Sequence, residues 1–219
     1  MSTRIITIER EYGSGGALVA EKLAEHLGWR LWDTALTAEI ARLADVSSET
    51  AQMRDEKLDP WLYRLAKVFA RGSYERTLPI DSIAAFDTDR MVHLVTRVIE
   101  DAASKGNCIV VGRGSPYILR NRPDAFHVFV YAPTEYKVQF LRQNGHAEDE
   151  SVELVNTIDR DRAAFVKQYF GKDWPSRNLY NLWINASIGV DAVVEIILDA
   201  VAIRDRQLLA EHSPISTKL

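Results

Sequence analysis

Apolar residues fall into two rhythms along this chain. Short, mostly apolar runs occur at residues 5–8, 30–32, 108–111, 126–131 and 179–185. Such runs suit strands buried on both faces. Between them, apolar positions recur at helical spacing. Leu18, Val19, Leu23 and Leu27 form one face before Gly28, a natural C-cap. Met91, Val92, Val95, Val98 and Ile99 form another, stopped by Gly106. Further helices are expected at 135–143, 148–170 and 190–203, followed by a loose tail over 206–219. Strands alternating with helices predict an α/β domain: a five-stranded parallel sheet with helices on both faces. Right-handed crossovers are expected.

Residues 34–105 interrupt this alternation. They carry almost no strand signal and are longer than a plain crossover needs. Helices are expected around Ile40, Leu43 and Ala44, then from Ser47 or Ser48 to Met53, and from Pro60 with Leu62, Leu65, Ala66 and Phe69 on one face. A loop over 72–81 precedes the helix that begins at Asp87 or Thr88. The segment is expected to form a cap over the carboxyl ends of the strands, where open α/β sheets bind ligands.

The first strand runs directly into Gly13, Ser14, Gly15, Gly16 and Ala17, and then into a helix. A bare turn at a helix N-terminus points several amides at one place, which suits a phosphate group. A full Walker A pattern would need glycine at positions 10 and 15, lysine at 16 and Ser or Thr at 17. This chain has Arg10, Gly15, Gly16 and Ala17. The amide nest is kept, while the lysine and the Mg²⁺-holding hydroxyl are absent. Arg10 is the nearest residue to replace the missing charge.

Two other clusters lie where strands end or helices follow. Arg113 stands between Gly112 and Gly114, so its fork is expected to project freely toward phosphate; the alternative is a surface arginine in a turn. Asp33 follows the second strand and either orients a metal or substrate hydroxyl or caps the next helix. Residues 159–162 read Asp-Arg-Asp-Arg, with Asp159 and Arg162 on one helix face and Arg160 on another; a solvated face with local ion pairs is the alternative.

Composition narrows the chemistry. The 219 residues carry 27 Lys and Arg against 31 Asp and Glu, a net charge of −4, so no nucleic-acid partner is expected. The single cysteine, Cys108, lies in an apolar run and is expected to pack there, as is His127. Trp174, Tyr169 and Phe170 are expected to pack a loop. No His/Cys set has zinc spacing. No stretch suits a membrane span or a signal peptide, so a cytoplasmic location without membrane contact is expected.

Together these stretches resemble the cytidylate kinase-like family of P-loop proteins. The resemblance rests on ITIEREYGSGG (6–16), WRLWD (29–33), CIVVGRGSPYIL (108–119), DRDRAAFVKQYFGKDW (159–174) and YNLWINAS (180–187), and covers about residues 4–203. It implies a three-layer P-loop NTPase fold in one domain over 1–205, with 34–105 as a nucleoside-monophosphate-binding insertion and a lid at about 145–178. It further implies ATP and Mg²⁺ on residues 13–17, and Arg113 gripping the acceptor's phosphate. Asp159 and Arg162 would contact nucleotide, a one-turn shift bringing in Arg160 or Asp161. Catalytic roles then fall to Arg10, Arg113 and Arg162; substrate contacts to Asp33, Arg113, Asp159 and Arg160; and Mg²⁺ to Asp33.

Three positions depart from the family's pattern. Gly16 replaces the lysine of true cytidylate kinases, as in the GSGG form usual in this branch. Ala17 stands where Arg often follows, and Glu39 lies near the place of an acceptor-side arginine. The activity implied is phosphotransfer from ATP to a nucleoside monophosphate or related small phosphorylated acceptor. The alternative is a degenerate module that binds nucleotide or phosphate and signals to a partner. Either admits a homodimer.

Overall fold

The computed structural model describes residues 2–33, 35, 36, 39 and 88–211. The helices expected within 34–87 and the last eight residues lie outside the described residues.

All six residues of strand β1 (Ile5–Arg10) are buried. Alternation of side chains across a strand divides them between two layers. Ile6 and Ile8 pack against Val19 and Leu23 of helix α1 (Gly16–Leu27) and against Val193 and Ile197 of helix α6 (Val190–Glu211). Ile5 faces the other layer. There it joins Val95 and Ile99 of helix α2 (Thr88–Lys105), Tyr117 of the short helix α3 (Ser115–Ile118) and Phe165 of helix α5 (Glu148–Phe170). By the same alternation Glu9 belongs to the α2–α5 side and Arg10 to the α1 side.

The sheet is completed by β2 (Arg30–Trp32), β3 (Cys108–Val111), β4 (Ala125–Tyr131) and β5 (Leu182–Asn185). Its order is β2-β3-β1-β4-β5 and every described pair is parallel. Neighbours β1 and β3 send the chain in opposite directions, β1 toward β2 and β3 toward β4. Such a divergence opens a cleft at the carboxyl ends. Helix α4 (Thr134–Gln143) follows β4 and packs through Leu141 against Leu154, Val155 and Ile158 of α5, with Tyr12 completing this third cluster.

Two boundaries differ from expectation. β5 begins at Leu182, not 179, because a 3-10 turn occupies Arg177–Leu179 and the Asn181 side-chain oxygen takes the His127 N–H at 2.7 Å. Helix α6 runs to Glu211, past the expected end at 203. Its charged residues do not fray: Asp205 accepts from the Thr3 N–H at 2.8 Å, and Arg204 donates to Thr3 Oγ1 at 2.9 Å and to the Pro123 carbonyl at 2.8 Å. Cys108 and His127 pack as expected. Burial pushes the Cys108 thiol up to about 11 and His127 down to about 4, with Thr7 Oγ1 2.8 Å from His127 Nδ1. Trp174 packs edge-on to Phe129. Among the described residues no helix is long and apolar enough to cross a membrane.

Candidate functional site

The glycine turn is built by backbone that other residues adopt with strain. Gly13 and Gly15 have φ of 77°, in the left-handed region. Gly13 also has the Lys137 carbonyl 3.0 Å from where a Cβ would sit. Ser14 is fully buried, its hydroxyl turned inward to donate to the Glu11 carbonyl at 2.8 Å. It therefore offers a ligand no side-chain oxygen. No side chain caps α1. The amides of Gly16, Ala17 and Leu18 lie in the first turn, where a helix supplies no acceptor of its own.

Arg10 occupies the space above this turn. A Cβ on Gly16 would fall 2.7 Å from Arg10 Cβ and 3.0 Å from its Cγ, and a Cβ on Gly112 would strike Arg10 Nη1. The stem of Arg10 thus lies over Gly16, where a side chain would meet it, and its head over Gly112, whose φ of 65° itself favours glycine. Burial lowers the Arg10 guanidinium to about 10, Arg162 adding to this and Asp33 and Glu9 opposing it. It stays charged at neutral pH.

Arg113 does not project freely as the sequence suggested. It is itself left-handed, at φ 56° between Gly112 and Gly114, and its side chain is buried. Its Nη1 donates to Asp33 Oδ1 at 3.3 Å and to the Val111 carbonyl at 3.4 Å. Burial lowers its pKa, while Asp33 opposes that shift. Phe170 fills the space beside Gly114, 2.5 Å from where a Cβ would sit, and stacks on Tyr117.

Asp159 and Arg162 tie helix α5 to the turn. Asp159 accepts the Tyr12 N–H at 2.9 Å and 3.2 Å on its two oxygens, and accepts from Arg162 Nη1 at 2.9 Å. Arg162 also donates to the Arg10 carbonyl at 2.8 Å. Burial raises the Asp159 pKa against the pull of Arg162 and the Tyr12 amide. Arg160, expected among the substrate contacts, is exposed. Two residues from Arg162 it lies on another face of α5 and stands outside the cluster.

Sequence reasoning missed three members. Lys137, in the second turn of α4, is buried with Nζ 2.9 Å from Glu11 Oε2 and 4.0 Å from Asp159 Oδ2. Its signal was position, since α4 follows β4 at the same sheet edge. Glu11 also accepts the Ala132 N–H at 3.3 Å. Glu9 is 3% exposed, and burial raises its pKa while Arg10 and Arg162 lower it. Nothing in a strand's alternation distinguishes such a carboxylate from an apolar neighbour. Among the described residues the edge gathers the cations Arg10, Arg113, Arg162 and Lys137 with the carboxylates Glu9, Glu11, Asp33 and Asp159.

Among the described residues no group of three or more His, Cys, Asp or Glu is placed to hold a metal ion. Magnesium that arrives with a nucleotide needs only one or two carboxylates beside the phosphates and keeps its own waters. Asp33 lies at this strand edge with one oxygen held by Arg113.

The profile of the cytidylate kinase-like family matches residues 5–188. No curated protein matches the chain. An uncharacterized protein from Eubacterium ventriosum has a similar structure, with 22% identity, a TM-score of 0.64, and coverage of 92% of this chain and 99% of that one. A gluconokinase from Sinorhizobium meliloti is similar at 12% identity, a TM-score of 0.54, and coverage of 97% and 98%. At these identities the likeness shows the fold, that of P-loop kinases.

Proposed function

Because the chain belongs to the cytidylate kinase-like family, we propose that it is an ATP-dependent phosphotransferase whose acceptor is a nucleoside monophosphate or a related small phosphorylated molecule. The observation that carries this reading is Arg10 lying across Gly16. Its stem crosses the position where a Walker lysine would begin, and its guanidinium lies at Gly112, between the α1 turn and the Arg113 turn.

Phosphoryl transfer asks mainly for positioning and charge neutralisation. MgATP is the co-substrate, and its metal neutralises β- and γ-phosphate charge. The amides of Gly15, Gly16 and Ala17 receive the phosphates, and Arg10 neutralises charge on the transferring group. Arg113 exchanges part of its hold on Asp33 for the acceptor's phosphate. Asp33 is the carboxylate that would help hold the magnesium that arrives with ATP. Arg162 and Asp159 fix the turn's backbone through Arg10 and Tyr12, so the amides need no rearrangement during transfer. Closure of the lid region over the edge keeps water from the γ-phosphate.

A second reading, a nucleotide- or phosphate-sensing module without turnover, is favoured by one observation. Arg113, Arg162 and Lys137 each already hold a carboxylate. A panel of nucleoside monophosphates incubated with MgATP separates the two. Transfer to at least one acceptor, lost in Arg113→Ala, supports the enzyme. ATP binding by calorimetry with no acceptor phosphorylated supports the sensor and removes the enzyme.

A further inference from the structure

The outer face of α6 carries a pattern that the catalytic edge does not use. One side of this helix is committed to the core through Val193 and Ile197. On the other, Ile196 is 41% exposed and Ile203 48% exposed, and Asp199, Ala202, Arg206 and Ala210 are exposed as well. Positions 196, 199, 203, 206 and 210 follow the three-four spacing of a helix–helix seam. Neither Asp199 nor Arg206 forms an ion pair among the described residues.

We propose that this face is the interface of a homodimer in which two copies of α6 pack antiparallel about a two-fold axis near Ile203. The charges select this occupant and this direction. A two-fold contact must be self-complementary. Asp199 lies ~6 Å before Ile203 along the helix and Arg206 ~4.5 Å after it, at 1.5 Å per residue. An antiparallel pair therefore sets Asp199 of each copy opposite Arg206 of the other, twice per dimer. Ile203 meets its own copy at the axis, and Ile196 meets Ala210 roughly 10 Å away on either side. A parallel pair would place Asp199 on Asp199 and Arg206 on Arg206, which like charge disfavours.

The helix is anchored to the rest of the domain at two places. Lys22 pairs with Asp191 at its start, and Thr3 is bonded to Arg204 and Asp205 near its end. Little ordering is lost on association. One helix per copy makes a small interface, so association is expected to depend on concentration within the working range.

Sedimentation equilibrium of the full chain from about 1 to 100 µM tests this. The apparent mass should rise from 24.8 kDa toward twice that value. Ile203→Glu should keep it at the monomer mass. Asp199→Arg and Arg206→Asp should each weaken association on the order of tenfold, and the double variant should recover most of it because the pairs are re-formed with signs exchanged. Circular dichroism at equal concentration checks that each variant is folded. A wild type that stays monomeric throughout, a dimer untouched by Ile203→Glu, or a double variant no better than the singles would overturn the proposal.

Discussion

Arg10 and Gly16 have to be considered together. The arginine occupies the first glycine position of a Walker loop, and the glycine occupies the lysine position. In space one fills what the other vacates: Arg10 Cβ lies 2.7 Å from where a Cβ on Gly16 would be. Restoring the lysine alone should therefore fail. Gly16→Lys is expected to lower stability by about 1–3 kcal/mol through overpacking. Adding Arg10→Gly to the same chain should recover most of that loss, as read by urea unfolding. If Gly16→Lys alone is as stable as the wild type, the steric link between the two positions is wrong.

His127 gives a second prediction at this scale, through pH. Its folded pKa is depressed to about 4 by burial, below an unfolded value near 6.5. The stability tied to the neutral ring is complete above the unfolded value. It is lost as pH falls toward the folded one, because the unfolded chain takes up a proton that the fold refuses. A window from pH ~6.5 to ~4 and a loss of about 3 kcal/mol follow. His127→Asn should lack that component, and identical wild-type and variant slopes across the window would remove it.

At the level of elements, helix α5 and the glycine turn act as one unit. Asp159 and Arg162 hold the Tyr12 amide and the Arg10 carbonyl from α5. Asp159→Ala leaves Arg162 without its buried carboxylate, a change expected to cost about 2 kcal/mol. Amide exchange at residues 12–16 should quicken more than in β3, to which neither side chain is hydrogen-bonded. Uniform quickening would mean a general loss of stability instead.

Which elements the sequence revealed also has a physical basis. β1, β3 and β4 are buried on both faces, so their apolar runs mark them almost residue by residue. The start of β5 was hidden because Asn181 pairs with β4 through its side chain, which no apolar period records. The end of α6 was hidden because Arg204 and Asp205 resemble a solvated tail until Thr3 and Pro123 are seen beside them. The site divides likewise. Arg10, Asp33 and Arg113 were legible because they follow strands. Glu9 and Lys137 were not, since their place depends on which strands and helices are neighbours.

For the whole molecule, the strand order is what assembles the edge. It sets β1 between β3 and β4, so the glycine turn, the Arg113 turn and α4 converge although the second and third lie far along the sequence from the first. Among the described residues, each arginine and lysine of the set at this edge has carboxylates beside it. A phosphate entering this set competes with the internal carboxylates for the arginines. Nucleotide affinity should therefore improve when one competitor is removed: Glu11→Gln frees Lys137 and is expected to tighten ATP binding roughly threefold to tenfold by calorimetry. Weaker binding in Glu11→Gln would show that Glu11 supports the site rather than competes in it.

The role proposed for Arg10 is to supply the charge that a Walker lysine would otherwise bring. Its most direct test is the rate of phosphoryl transfer from γ-labelled ATP to a panel of nucleoside monophosphates, for the wild type and for Arg10→Met, which keeps an apolar stem over Gly16 and removes the charge. The expected result is measurable transfer to at least one acceptor in the wild type and a fall of roughly 10²–10³-fold in Arg10→Met, with the fold intact. Transfer at an unchanged rate in Arg10→Met, or none to any acceptor by a wild type that binds ATP, would contradict the account.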